Sequence, residues 1–193
     1  AAVQADVLAR HHRIRGDRVW FLTAGQAHRE PLALFSSDVL LAGTDIRLRE
    51  ACGHDIYRKA DIDYFRLSRH INRLRELIST GQLRIEPAGH RGLLDQDSQD
   101  VPIEGWWDQL ASYVNSLGYG TDGPNYQRWW VNNDRRMHVV GEDALRSHAI
   151  LWPAMLLSAG LPLPTDIRVA GNTVPDVSEP AGQYGSDAVR WWL

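Results

Sequence analysis

Apolar positions along the chain fall into stretches of helical and strand-like pattern, separated by polar and glycine-rich breaks. At the start, Val3, Val7 and Leu8 share one face of a helix that Gly16 is placed to stop. The apolar run Arg18-Val19-Trp20-Phe21-Leu22-Thr23 then predicts a buried parallel strand, with residues 24–28 as the loop at its carboxyl end. Between residues 30 and 59 no period is sustained, and Ala51-Cys52-Gly53-His54-Asp55 reads as a turn. Over 60–80, Phe65, Leu67, Ile71, Leu74, Leu77 and Ile78 approximate a helical stripe that ends near Gly81. A polar, acidic loop over 89–102 leads to Trp106, Leu110, Tyr113 and Leu117, whose spacing of three and four puts them on one helix face. On pattern alone such an aromatic stripe belongs to a core. A Gly/Pro/Asn loop at 120–125, the run Trp129-Trp130-Val131 and a polar turn follow.

The most informative stretch is His138 to His148 with its continuation to Gly160. A short apolar run ends in Gly141, the acids Glu142 and Asp143 open a helical pattern, His148 comes five residues after Asp143, and Trp152-Pro153 interrupts the apolar face. This predicts a strand, a tight turn and a helix. Such a βα junction brings turn residues to the carboxyl edge of a parallel sheet, where backbone N–H groups and the helix dipole favour an anion. The plain alternative is a βα unit with no ligand. A proline-rich link, a strand over Ile167 to Ala170, an irregular piece and a last helix with Val189 and Trp192 on one side complete the chain.

With 193 residues, 44% of them hydrophobic and 23% charged, the chain is long enough for one domain with a sizeable core, or for a domain carrying an insertion. A net charge of -3 gives no overall basic field, so a nucleic-acid contact would need a local patch. The single cysteine, Cys52, excludes an intramolecular disulfide, and with His54 it supplies at most half of a zinc knuckle. No apolar run approaches the roughly 18 residues of a membrane span, and nothing reads as a signal peptide, so a cytoplasmic setting is expected. No capping sequence precedes the first helix, and part of the fold is expected to lie before Ala1. Gln26 and His28, in the loop after the first strand, are ligand candidates by position.

Several segments, in order, resemble the catalytic region of methionyl-tRNA synthetases. Ala5 to Arg13 with Gly16 and the run Val19 to Thr23 resemble the helix and strand after that family's HIGH motif. Asp63-Tyr64-Phe65-Arg66-Leu67-Ser68 resembles "YFFRLS", and Trp106-Trp107-Asp108 through Tyr113 resembles the "YVWFDAxxxY" helix. His138 to Gly160 resembles "HFIGKDIxxFHxxxWPAML…AG", and Gln183 to Leu193 resembles "YGADALRYYL". The resemblance implies an α/β fold, a Rossmann-like parallel-sheet catalytic domain over 1–193, with the connective insertion reduced to about 30–60 and no anticodon-binding domain. It further implies ATP and Mg as cofactors. Trp106, Tyr113 and His148 match positions that wrap the amino-acid side chain, and aromatic rings suit a thioether. Thr23, Ala24 and Gln26 match the loop on the substrate's amino side, while Gly141, Asp143 and Val169 match the nucleotide side.

The departures carry information as well. Gln26 stands where the family has the aspartate that pairs with the substrate α-ammonium, and a neutral amide forfeits about 1 kcal/mol or more of charge assistance. Glu142 replaces the usual lysine, removing a positive charge near the phosphates. HIGH would lie upstream of Ala1, and Ala170-Gly171-Asn172 joins the strand before KMSKS to the segment after it. Three functions follow from the resemblance. One is ATP-dependent activation of an amino acid followed by transfer to a small amine, as in natural-product pathways, including hydrazine-forming enzymes in which such a domain is joined to a zinc cupin. Another is a genuine methionyl-tRNA synthetase, with tRNA as acceptor and its loops omitted. The third is a lapsed paralogue that binds a ligand or partner without catalysis.

Overall fold

The computed structural model describes residues 2–21, 44–90, 92, 99–121, 123–170, 182–185 and 187–188. Helix α1 (Ala2–Ile14) runs as its apolar face predicts and stops at Gly16, whose φ of +88° suits a residue without a Cβ. Residues 18–21 are described but form no strand, and Trp20 is 42% exposed. A strand exists only by pairing, and this run has no ladder partner among the described residues; the Trp20 ring rests on Trp129 at 5.7 Å instead.

Helix α2 (Thr44–Ala51) lies inside the stretch where no period was legible, and the turn expected at 51–55 is present as a single 3-10 turn, Gly53–Asp55. Strands β1 (Ile56–Lys59) and β2 (Ile62–Phe65) then form a hairpin. Its two-residue loop, Ala60 and Asp61, has φ of 49° and 62°, the positive values that a tight hairpin of matching twist demands. The helical stripe expected over 60–80 therefore begins only with α3 (Ile71–Ser79), while Phe65 belongs to β2 and Leu67 to a 3-10 turn. All six stripe positions are buried, so the pattern reports burial correctly and period incorrectly.

Two three-stranded sheets are present among the described residues. Strand β4 (Val101–Pro102) adds antiparallel to β2. The second sheet is parallel, in the order β3–β6–β5, from β3 (Arg84–Glu86), β6 (Asp166–Ala170) and β5 (Met137–Gly141). β6 lies between two partners and buries four of its five residues, as a strand covered on both faces should. Helix α4 (Gly105–Asn115) packs Trp107, Leu110, Ala111 and Val114 into the core, so the buried face is turned from the one expected. Trp107 is fully enclosed, whereas Trp106 and Tyr113 stand half-buried on the flank.

After β5 the chain makes a 3-10 turn (Glu142–Ala144), one π turn (Ser147–Leu151) and helix α5 (Trp152–Ala159). Pro153 lacks the N–H that would bond back to the preceding turn and crowds the carbonyl four residues earlier; a widened turn directly before it relieves both. Gly160 closes α5 with φ of +67°, and Leu161 N–H bonds Leu156 O at 2.9 Å. Leu48, Phe65, Leu74, Trp107, Trp152 and Met155 belong to one apolar cluster joining the antiparallel unit to α5. Within it Cys52 Sγ donates to Met155 O at 3.4 Å, and burial pushes its thiol up to about 11, so it is held protonated.

Candidate active site

The parallel sheet places the site. Gly141 ends β5 opposite Ala170 of β6, so the Glu142–Ala144 turn starts at the carboxyl edge of the sheet, as the sequence pattern requires. Asp143 folds back over this edge. A Cβ added at Gly141 would lie 2.5 Å from Asp143 Oδ1, so glycine leaves room for that carboxylate rather than for an unusual φ. Asp143 is exposed and Gly141 half-buried.

The π turn sets His148. With the helix widened there, Nδ1 lies 2.8 Å from Ala144 O, and a carbonyl only accepts, so Nδ1 carries the proton. Nε2 is then an acceptor, and the Tyr113 hydroxyl 2.8 Å away donates to it. Burial supports this arrangement: it pushes the Tyr113 phenol up to about 12 and the His148 imidazole down, keeping one protonated and the other neutral. Trp106 stands two turns before Tyr113 on α4, its Nε1–H anchored on Pro102 O at 2.9 Å. The predicted group thus resolves into a hydrogen-bonded Tyr113–His148 pair and a Trp106 ring farther along the same flank.

Val169 is adjacent to Ala170, the partner of Gly141, yet it lines a different depression of about 610 Å³ with Val7, Leu8, Glu86, Pro87 and Arg168. Arg168 Nη2 donates to Glu86 Oε2 at 2.9 Å, an exposed pair within that lining. Thr23, Ala24 and Gln26, and His28 with them, lie outside the described residues.

One residue went unread in the sequence. His138, 7% exposed, lies under Tyr113 with ring centroids 4.5 Å apart in an edge-to-face arrangement, and 5.5 Å from the His148 ring. Burial first, and then repulsion from His148, pushes its pKa down to about 3. The signal was available: β5 alternates, and His138 shares the inward positions with Val140, where a parallel strand ordinarily carries an aliphatic residue. His138 and Tyr113 also line a groove of about 710 Å³ together with Leu8, His12, Trp20 and Trp130.

The family model described as tRNA synthetases class I (M) matches residues 96–175, the span from just before β4 to just after β6. The methionine--tRNA ligase of Nostoc sp. is 33% identical over 170 residues, covering 67% of this chain and 32% of the relative. That of Fusobacterium nucleatum is 38% identical over 102 residues, covering 46% and 16%. A free-state methionyl-tRNA synthetase of Mycobacterium tuberculosis superposes with a TM-score of 0.79 at 19% identity, covering 98% of this chain and 56% of that structure. The chain is a methionyl-tRNA-synthetase-like member of the class I tRNA synthetases. It spans about a third or less of the length of these curated relatives. The same synthetase bound by methionyl-adenylate superposes with a TM-score of 0.62 at 20% identity, over 81% of this chain and 45% of that one. At such identities the superpositions establish the Rossmann-like α/β fold. The class I match takes in Trp106, Tyr113, Gly141, Asp143, His148 and Val169, and does not reach Thr23, Ala24 or Gln26.

Proposed function

We propose that this domain activates an amino acid with ATP. The substrate carboxylate attacks the α-phosphate, pyrophosphate leaves, and the aminoacyl-adenylate passes its acyl group to an acceptor with release of AMP. The observation that carries the reading is the Tyr113–His148 pair standing one short turn from the Gly141–Asp143 sheet edge, which brings a half-buried aromatic pair close to a nucleotide-type βα junction. Trp106, Tyr113 and His148 take the side chain; the amino group is assigned to Thr23, Ala24 and Gln26 on the sequence resemblance; Gly141, Asp143 and Val169 serve the nucleotide. Catalysis of this kind rests on positioning and charge stabilisation, without a covalent nucleophile. Among the described residues no group of three or more His, Cys, Asp or Glu side chains is arranged to hold a metal ion. Mg²⁺ would be carried mainly by the phosphates and would neutralise their charge, with the acids of the Glu142–Ala144 turn, Glu142 and Asp143, as the carboxylates at that edge.

For the acceptor, a small amine is proposed over tRNA, in the cytoplasm and within a domain whose connective insertion is reduced. Gln26 supports it, since loss of the charge that pairs with the α-ammonium marks a substrate requirement different from that of translation. A genuine methionine--tRNA ligase is the second reading, favoured by the relatives themselves, which carry that name. The decisive experiment is ATP–pyrophosphate exchange with full-length protein across a panel of amino acids, followed by acyl transfer to tRNA and to small amines. Exchange with at least one amino acid is expected. No exchange with any would overturn activation, and methionine-only exchange with tRNA charging would overturn the small-amine acceptor.

A further inference from the structure

His138 occupies a position where an aliphatic side chain would pack at no polar cost. It is more than nine-tenths buried, and among the described residues its imidazole makes no hydrogen bond; its ring contacts are Tyr113 and His148. Nothing in those contacts calls for a titratable group. What they do call for is a flat ring. Tyr113 needs its hydroxyl held 2.8 Å from His148 Nε2, and a tyrosine has several χ1 wells and a broad χ2 to choose among unless packing fixes its ring plane. The His138 ring, perpendicular to Tyr113 at an interplanar angle of 89°, does so through the edge-to-face preference of aromatic pairs. Trp152, 6.0 Å away at 44°, backs Tyr113 from α5.

We propose that His138 is a positioning residue for the amino-acid pocket: its ring fixes the plane of Tyr113, which delivers its hydroxyl to His148 Nε2 and so holds His148 in the tautomer with the proton on Nδ1. Both His148 nitrogens are then committed, one to Ala144 O and one to Tyr113, and the pocket meets its ligand with ring faces rather than with a free imidazole nitrogen. The proposal rests on the reading of Tyr113 and His148 as walls of that pocket.

The test uses full-length protein with His138→Leu, which removes the ring, and His138→Phe, which keeps one; if the leucine variant does not fold, His138→Asn replaces it. Two readouts are taken: pyrophosphate exchange with the best amino acid, and the imidazole ¹⁵N spectrum of His148. For the leucine variant the amino-acid KM rises about tenfold while kcat and the KM for ATP stay within about threefold, and the phenylalanine variant recovers most of that loss. In the spectrum His148 is a single Nδ1–H tautomer in the parent and in the phenylalanine variant, and averages between tautomers in the leucine variant. An unchanged KM and unchanged tautomer in the leucine variant would overturn the proposal, as would a phenylalanine variant no better than leucine. If Tyr113→Phe and His148→Ala leave the amino-acid KM untouched, or no amino acid supports exchange, the pocket reading fails instead, and the tautomer comparison alone still decides the role of His138.

Discussion

At the scale of single residues the site is a balance of protonation states. The Tyr113 hydroxyl donates to a neutral His148, so Tyr113→Phe leaves Nε2 without its donor in a half-buried pocket and costs about 1 kcal/mol of stability. Its larger effect falls on amino-acid binding, where KM is expected to rise with little change in the KM for ATP. The buried histidines also set a pH dependence. His138 and His148 are held below the ordinary value of 6.5, so the unfolded chain binds protons that the folded chain refuses. Stability therefore falls as pH drops below about 6.5, by up to about 1.4 kcal/mol per pH unit for each group until its folded pKa is reached. For His138 that window runs down to about 3. Lowered carboxylates such as Asp55 and Asp166 add to the loss only near and below their ordinary value of 3.8. Urea denaturation between pH 6.5 and 4.5 thus isolates the histidines: His138→Phe should flatten the slope by one proton, and an unchanged slope would show that His138 is protonated in the fold.

At the scale of elements, the βα junction was legible because its parts agree: apolar run, glycine, two acids, helical period. The hairpin at Ile56–Phe65 was not, since Phe65 and Leu67 are buried like the helix that follows and two periods merged into one. Strand β3 escaped notice because its three residues, with Ile85 alone apolar between Arg84 and Glu86, are too few for a period. The roles proposed for Tyr113 and His148 came from the resemblance. Their contact depends on a π turn that no local period announces, and the Tyr113–His138 ring pair on the packing of α4 against β5, which no local pattern carries. That turn is testable. Pro153→Ala restores an N–H donor and removes the clash, so the helix can tighten and carry His148 away from Ala144 O. Thermal stability should hold or rise while the amino-acid KM increases; a variant that keeps its KM would detach the π turn from function. Gly141→Ala probes the adjacent edge: the new methyl displaces the Asp143 carboxylate, a flexible side chain, so the fold should tolerate it while the KM for ATP rises several-fold.

At the scale of the whole molecule, a buried carboxylate ties the antiparallel unit to the site-bearing helix beside the apolar cluster that joins them. Asp55, 2% exposed, accepts from Ser158 Oγ of α5, from Arg69 Nη1 and from His70 Nε2, each at 2.8 Å. Burial alone would raise its pKa, but the bonds from Ser158, Arg69 and His70 outweigh it and the carboxyl is held below its usual value. The carboxylate is held from two chain segments at once, residues 69–70 and Ser158 of α5, so removing it should cost more than removing any one donor. Asp55→Ala strands Ser158 and His70 and is expected to cost about 3–5 kcal/mol, whereas Ser158→Ala deletes one of several bonds to a charge and should cost about 1.5–3 kcal/mol. His148 lies in the π turn that runs directly into α5, so loosening that helix at Ser158 should also weaken amino-acid binding from a distance. Urea denaturation of both variants, with the amino-acid KM measured under native conditions, separates the effects. Equal stability losses would show that the carboxylate is no hub, and an unaltered KM in Asp55→Ala would show that the pocket holds its shape without it.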